Sequence, residues 1–580
     1  MWEVTKHLNF AFHPDPYLNY TWNLRFWNIS DWILLSEYNY WENSYMLAIK
    51  PIWTSFIPII SVSLLSLFIL TLGLILPQKP KFIKFLNIVA ALYILVILYT
   101  LSFDHLGHQY YRHDFSSENS LDLLKLTVNV YNPDSFTFNW YPNGSFYSNL
   151  FFIVASLTLI TLLWGIADRF YSRENNKIEF LLLTIFIYVS AIILLSSSDF
   201  ICALILLECI TFCSYVLVGF ERKNKFSGSS GIKYLILGSV PGGFFVLGVT
   251  LLYKNYGSFF LNDLEHIMYD GLTHFSNSLD YLNGYMFEYM ENITFEYDHV
   301  FLSTYVAIIL IFANLLFKLT AAPLHMWAPS IYGGAPLATT TFLSIFSKLT
   351  IIFFSIYLYI SVFHIFSDII NILLIICGMI SIYFGILGAF SEKLIKRFFV
   401  YSSMGHVGFM IIGIAVADIG LRGAINYLLV YVISSFILWF TVMYLTRRTT
   451  HLTSLKGLCI NHPVLSIIVS ITMFSLSGIP PLAGFFVKFE IFKSVLQSGY
   501  YSVVLILFIL TVFSFFYYLR IIKIMYFENS TTFRKNKNQD LIKLRLISVL
   551  VNFLLFFVIF VPESFLIIVE RTIDWLCEVR

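Results

Sequence analysis

Four ionisable side chains fall inside long apolar runs of this chain. Glu208 lies in the middle of DFICALILLECITFCSYVLVGF, and Lys318 closes a second run. Lys348, thirty positions further on, lies inside a third, and Lys488 follows SLSGIPPLAGFFVKFE. A charge at bilayer depth costs at least ~2.5 kcal/mol on insertion scales, so its first reading is functional. Amines and carboxylates in such surroundings hold and pass protons. Desolvation disfavours the charged form of a buried amine, and a nearby carboxylate restores it. Lys318 paired with Glu208 would keep its proton, and separating or neutralising Glu208 would release it. That chemistry is a proton relay rather than bond-making catalysis. The plainer alternatives are a structural ion pair for Glu208 and Lys318, and a lysine snorkelling from its helix end for Lys488. His325 and His406 are secondary candidates, since each lies in or beside an apolar run and titrates near neutral pH. A packed, hydrogen-bonded histidine is an equal reading of both. Lys233, at the entrance to a span, is a third secondary candidate that snorkelling also explains.

The elements that carry these groups are interrupted. Between Lys318 and Lys348 lie Pro323, Pro329, Pro336, Gly333 and Gly334. Pro323 gives no N–H to the Leu319 carbonyl and its ring clashes there, so the helix ending at Lys318 must break. Pro480 and Pro481 likewise free the carbonyls of Leu476 and Ser477, just before Lys488. A helix broken at membrane depth persists only where it packs in protein or lines a wet cavity. Two interrupted segments in corresponding places point to inverted repeats around a midplane ion site.

Composition sets the solvent. Of 580 residues, 58% are hydrophobic and only 12% charged, with net charge +2 and mean hydropathy +0.77. Soluble domains carry about 25% charged residues. The expected fold class is therefore an all-α polytopic membrane protein of about 14 transmembrane helices, each about twenty residues long. The spans fall near 55–77, 83–103, 148–170, 178–197, 199–219, 232–253, 300–321, 337–362, 367–389, 399–417, 424–446, 463–487, 500–524 and 543–568. Basic residues gather in connections after odd-numbered spans, among them Lys79, Lys81 and Lys84; Arg222, Lys223 and Lys225; Lys393, Lys396 and Arg397; Arg447, Arg448 and Lys456. By the positive-inside rule that face looks to the cytosol or matrix, and both termini face the other way. Lys396 and Arg397 are read as part of this signal. Two long connections, near 104–147 and 254–299, lie on the opposite face, the second rich in Asp and Glu.

The expected organisation is an aromatic-rich N-terminal extension (1–54) followed by two spans and a long loop (55–147). Two inverted repeats follow (148–362 and 363–526), whose five-helix units are spans four to eight and nine to thirteen, then a final span and C-terminus (527–580). The broken helices are the seventh and twelfth. Six cysteines without a CxxC give no metal or iron–sulfur ligand set, and no glycine fingerprint for a dinucleotide is present. The near-neutral balance argues against nucleic acid. The start, MWEVTKHLNF, reads as neither a signal peptide nor a basic presequence. Four Asn-x-Ser/Thr triplets on the non-basic face, at Asn19, Asn28, Asn143 and Asn292, are read as chance.

Three stretches carry a resemblance: FKLTAAPLHMWAPSIYGGAP with the following SK, EKLIKRFFVYSSMGHVGF, and SLSGIPPLAGFFVKFEIF. Together they resemble the NADH dehydrogenase subunit 2 family, antiporter-like proton-translocating membrane subunits of respiratory complex I, over roughly Ser148 to Tyr526. The resemblance implies a row of buried charges in which Glu208, Lys318, Lys348 and Lys488 take the family's places. It implies a subunit without NADH, FMN, iron–sulfur clusters or ubiquinone of its own, these lying in other subunits. It also implies a place in the mitochondrial inner membrane, beside other membrane-arm subunits and lipid. Ser330 and Gly333 depart from the family's acidic APDxYEG segment, and Ser229, Ser230 and Gly231 from its acidic residue before IKY. Two other readings remain: a subunit of a multi-subunit sodium/proton antiporter, or a membrane scaffold that transports nothing.

Overall fold

The computed structural model describes Ala155 and residues 177–528, except 196, 222–223, 270–286, 446–450 and 481. The N-terminal extension, the first two predicted spans, the loop 104–147, the last span and Pro481 lie outside the described residues, as does the third span apart from Ala155. Among the described residues the only β pairings are two isolated bridges, Asp199 with Phe260 and Leu394 with His451.

Ten predicted spans fall in this region, and each coincides with helix. The first three are α1 (Lys177–Leu195), α2 (Phe200–Val218) and α3 (Lys225–Tyr256). α4 (Phe287–Lys318) starts well before the expected position 300. The acidic stretch expected in a connection therefore lies partly on helix, because carboxylates favour a helix N-terminus. α4 ends at Lys318, where the proline argument put the break. Thr320 there adopts a left-handed backbone (φ 61°), and the Ala322–Pro323 peptide is cis. A short α5 (Trp327–Gly334) follows. α6 (Leu337–Phe342) continues through a π turn (Leu343–Ser347) into α7 (Lys348–Ser361) as one span.

Next come α8 (Ser367–Ser391), α9 (Ile395–Ala415) and α10 (Ala417–Leu445). The twelfth predicted span is two half-helices, α11 (Pro463–Ser477) and α12 (Ala483–Gln497), parted at Gly478. α13 (Tyr501–Phe527) closes the described region. Among the described residues, nine helices are long and apolar enough to cross a bilayer; the tenth span is the broken one.

Burial separates the centre from the rim. The spans of α9 and α10 are each 94% buried and Leu337–Ser361 is 89% buried, against 39% for α3 and 33% for α13. A helix apolar all round belongs in the interior. α8 reaches α9 through glycine: a Cβ at Gly385 would come within 2.8 Å of the Gly405 nitrogen. Small residues of this kind let backbones touch where lipid supplies no hydrophobic drive.

Candidate functional site

At the first break, α2 and α4 bring a carboxylate to an amine. Lys318 Nζ lies 3.7 Å from Glu208 Oε1, with the two side chains 7% and 25% exposed. The ammonium also donates to the Leu207 carbonyl at 3.1 Å, and Thr211 Oγ1 donates to Glu208 Oε2 at 3.1 Å. Space for the carboxylate comes from α3, where a Cβ at Gly242 would lie 2.6 Å from Glu208 Oε1. Several polar atoms around this break are buried without a hydrogen-bond partner: Glu208 Oε1, Tyr215 Oη, both Asn314 amide atoms, Thr320 Oγ1, His325 Nδ1 and Trp327 Nε1. Such groups are the ones ordered water satisfies. Asn314 and Lys318 are one turn apart on the same face of α4.

Lys348 begins α7 directly after the π turn and is 2% exposed. Its ammonium lies 5.6 Å from the centroid of the Tyr431 ring, and Tyr431 Oη donates to the Ser344 carbonyl at 3.3 Å. His406, at the heart of α9, sits between two hydroxyls. Its Nδ1 is 2.8 Å from Tyr427 Oη and its Nε2 2.7 Å from Tyr518 Oη. Tyr518 is in turn 2.6 Å from Ser402 Oγ. The His406 ring also lies 5.6 Å from that of Tyr431, which Lys348 faces, and Tyr427 stacks on Phe409, which Lys488 faces.

At the second break Lys488 Nζ donates to the carbonyls of Leu476 and Ser477, each at 2.9 Å. These are the acceptors that prolines at 480 and 481 were expected to free. The ammonium also lies 5.5 Å from the Phe409 centroid. Lys488 is 5% exposed, so its side chain is held inside rather than snorkelling. Among the described residues no carboxylate lies within ion-pair distance of Lys348 or Lys488.

Of the secondary candidates, His406 joins the row. His325 is buried and stacks on Phe384 (5.2 Å), beside the first break. Lys233 is exposed on α3 beside Ile232 and Ile236, two turns inside the helix rather than at its entrance. Lys396, read from the sequence as a topology marker, is buried and donates to the Ala335 carbonyl at the end of α5. A cation there satisfies a helix C-terminus. The tyrosines flanking His406 were also missed. Their signal was there, since Tyr427 and Tyr431 are one turn apart on a helix interior, away from the headgroup level where tyrosine is usual. Among the described residues no cluster of three or more His, Cys, Asp or Glu is placed to hold a metal ion.

Residues 197–514, which contain Glu208, Lys318, Lys348, His406, Lys488 and both breaks, match the profile of the NADH:quinone oxidoreductase/Mrp antiporter transmembrane family. The chain belongs to that family. Among its relatives, NADH-ubiquinone oxidoreductase chain 2 of Marchantia polymorpha is 31% identical over 427 residues, 73% of this chain and 82% of the relative. The Arabidopsis thaliana protein of the same name is 30% identical over 425 residues, 73% of this chain and 80% of the relative. The fold is that of a subunit in respiratory complex I from Thermus thermophilus (TM-score 0.65, 20% identity, 89% of this chain and 99% of that one). A subunit of the Mrp complex from Dietzia sp. shares it too (TM-score 0.65, 16% identity, 90% of this chain and 97% of that one).

Two of the positions that the resemblance marks as departures, Ser230 and Gly333, make close local contacts. A Cβ at Gly334 would come within 2.8 Å of the Phe226 carbonyl and 3.0 Å of Ser230 Cβ, so small residues let α5 close on α3. A Cβ at Gly333 would lie 3.1 Å from Arg397 Nε, and Arg397 pairs with Glu392 at 3.7 Å.

Proposed function

We propose that this chain is a proton-translocating membrane-arm subunit of respiratory complex I in the mitochondrial inner membrane. Protons pass along Glu208, Lys318, Lys348, His406 and Lys488 while NADH:ubiquinone oxidoreduction takes place in other subunits. The chain carries no redox cofactor of its own in this reading. The observation that carries it is the Lys318–Glu208 pair at a broken helix surrounded by buried polar atoms that call for water. Two charges about 4 Å apart interact with roughly 4 kcal/mol at an effective dielectric of about 20, enough to switch a lysine between its charged and neutral forms. Neutralising Glu208 therefore sends the Lys318 proton onward. Among the described residues Lys348 and Lys488 have no carboxylate within ion-pair distance to hold theirs, and His406 between them accepts and returns one through either ring nitrogen.

The finer architecture proposed with it has about 14 helices, two inverted five-helix repeats and both termini on the intermembrane-space side. The family profile and the fold cover the Mrp antiporter as well, whereas the relatives quoted above at 30% identity or more carry complex I names, which favours this reading over a sodium/proton antiporter.

The test is Lys318→Met in the assembled complex. NADH-driven proton pumping in sealed native vesicles should fall about tenfold, the factor that 1.4 kcal/mol gives, with assembly retained. Unimpaired pumping in an assembled variant would overturn the proposal.

A further inference from the structure

Beyond the row of relay groups, α12 carries a second ionisable residue inside the fold. Glu490, two positions after Lys488, lies against α10, with its Cγ 3.5 Å from a Cβ built on Gly423. Asn426 Nδ2 lies 3.1 Å from Glu490 Oε1 and 3.0 Å from Oε2. Asn426 is 1% exposed, and its Oδ1 is buried with no hydrogen-bond partner. An acceptor left open at that depth takes up water. Glu490 itself is half-buried, so it touches both the interior and the outside.

Chain direction says which outside. The connection from α10 to α11 carries Arg447, Arg448 and Lys456 and marks the basic face. α10 starts, and α12 ends, on the opposite side. Asn426 is nine residues from the start of α10 and Glu490 seven from the end of α12, about 14 and 10 Å of helix. Both therefore lie between the second break and the non-basic face. One aromatic pair also links Lys488 to the stretch of α10 that carries Asn426. Lys488 faces the Phe409 ring, which stacks on Tyr427 at 5.7 Å, the neighbour of Asn426.

We propose that Glu490 is the group through which a proton leaves Lys488 for the non-basic aqueous face, a role that rests on the relay reading above. Residues two apart on a helix do not face each other, so the proton crosses through water bound at Asn426 Oδ1. The step converts the Lys488 ammonium and the Glu490 carboxylate into an amine and a carboxylic acid. Two charges disappear from a low-dielectric interior, which burial favours. Glu490 then gives the proton to water outside. The other charged groups here are Arg422, one turn before Asn426 on α10, and the exposed Lys493 on α12. Both favour the carboxylate and so drive the release.

The experiment measures NADH-driven pumping and redox turnover of the assembled complex in sealed vesicles, comparing Glu490→Gln, Glu490→Asp and Lys318→Met. Glu490→Gln should pump several-fold fewer protons per NADH oxidised, and Glu490→Asp should regain most of the loss. Normal pumping in Glu490→Gln beside a defective Lys318→Met overturns the exit role and leaves the relay standing. Normal pumping in both overturns the relay as well. If Glu490→Gln does not assemble, the unmodified complex is treated with a hydrophobic carbodiimide and mapped by mass spectrometry. Label at Glu490 that declines as the non-basic compartment is made alkaline supports the role, and its absence while other carboxyls react overturns it.

Discussion

The two broken helices hold their lysines by different means. At the first, Lys318 reaches across to another helix and meets a carboxylate, Glu208. At the second, Lys488 reaches back across the break and is held by the carbonyls of Leu476 and Ser477 at the end of the preceding half-helix, α11. The backbone turns differ as well. Gly478 takes the left-handed conformation at the second break (φ 85°), which glycine adopts freely, whereas Thr320 takes it at the first (φ 61°). A carboxylate carries a full charge that a proton can cancel, so the first site can be switched. Carbonyl dipoles are permanent, so the second steadies an ammonium without responding to protonation. In the proposed relay, one break would be triggered and the other would receive.

Gly242→Ala should break this contrast from the triggered side, with the largest effect of three. The new Cβ would sit 2.6 Å from Glu208 Oε1, so the carboxylate must swing away from Lys318. Pumping in vesicles should fall several-fold while thermal stability holds, since alanine is favoured over glycine in a helix by about 1 kcal/mol. Unaltered pumping would mean that the close pair is dispensable. Gly478→Ala attacks the receiving side. Its Cβ would lie 2.9 Å from Lys488 Cδ, and a left-handed alanine costs about 1–2 kcal/mol. The dissociation temperature of the membrane arm should drop, with a smaller loss of pumping; a stability no lower than wild type would refute it. Thr320→Gly is the gentlest test, making the first turn resemble the second. Relief of the left-handed threonine should add up to about 1 kcal/mol of stability. If stability falls instead, the threonine contributes something that its backbone strain conceals.

How far the sequence reaches depends on how local the cause is. Proline acts on the carbonyl four residues back, so both breaks, and the carbonyls that now hold Lys488, were readable from position alone. Long apolar runs placed ten helices of the described region, because hydrocarbon thickness leaves little choice of length. What escaped depends on partners far along the chain. His406 meets Tyr518 across 112 positions, and Glu490 meets Asn426 across 64. Lys396 sits beside Arg397 at a helix end and looks like a topology marker, yet it is buried against Ala335. The early start of α4 does not show in the sequence because its first turns are acidic, and an acidic stretch reads as connection.

The π turn over Leu343–Ser347 gives the span an adjustable aim. Such a turn holds one residue more than an α turn needs, and each α-helical residue advances the helix by about 100°. Absorbing that surplus would rotate everything downstream by one position, swinging the Lys348 ammonium off the Tyr431 ring. The direction of a cation in oil is thus fixed by a single spare residue upstream, and a one-residue slip there works as a point on a railway line.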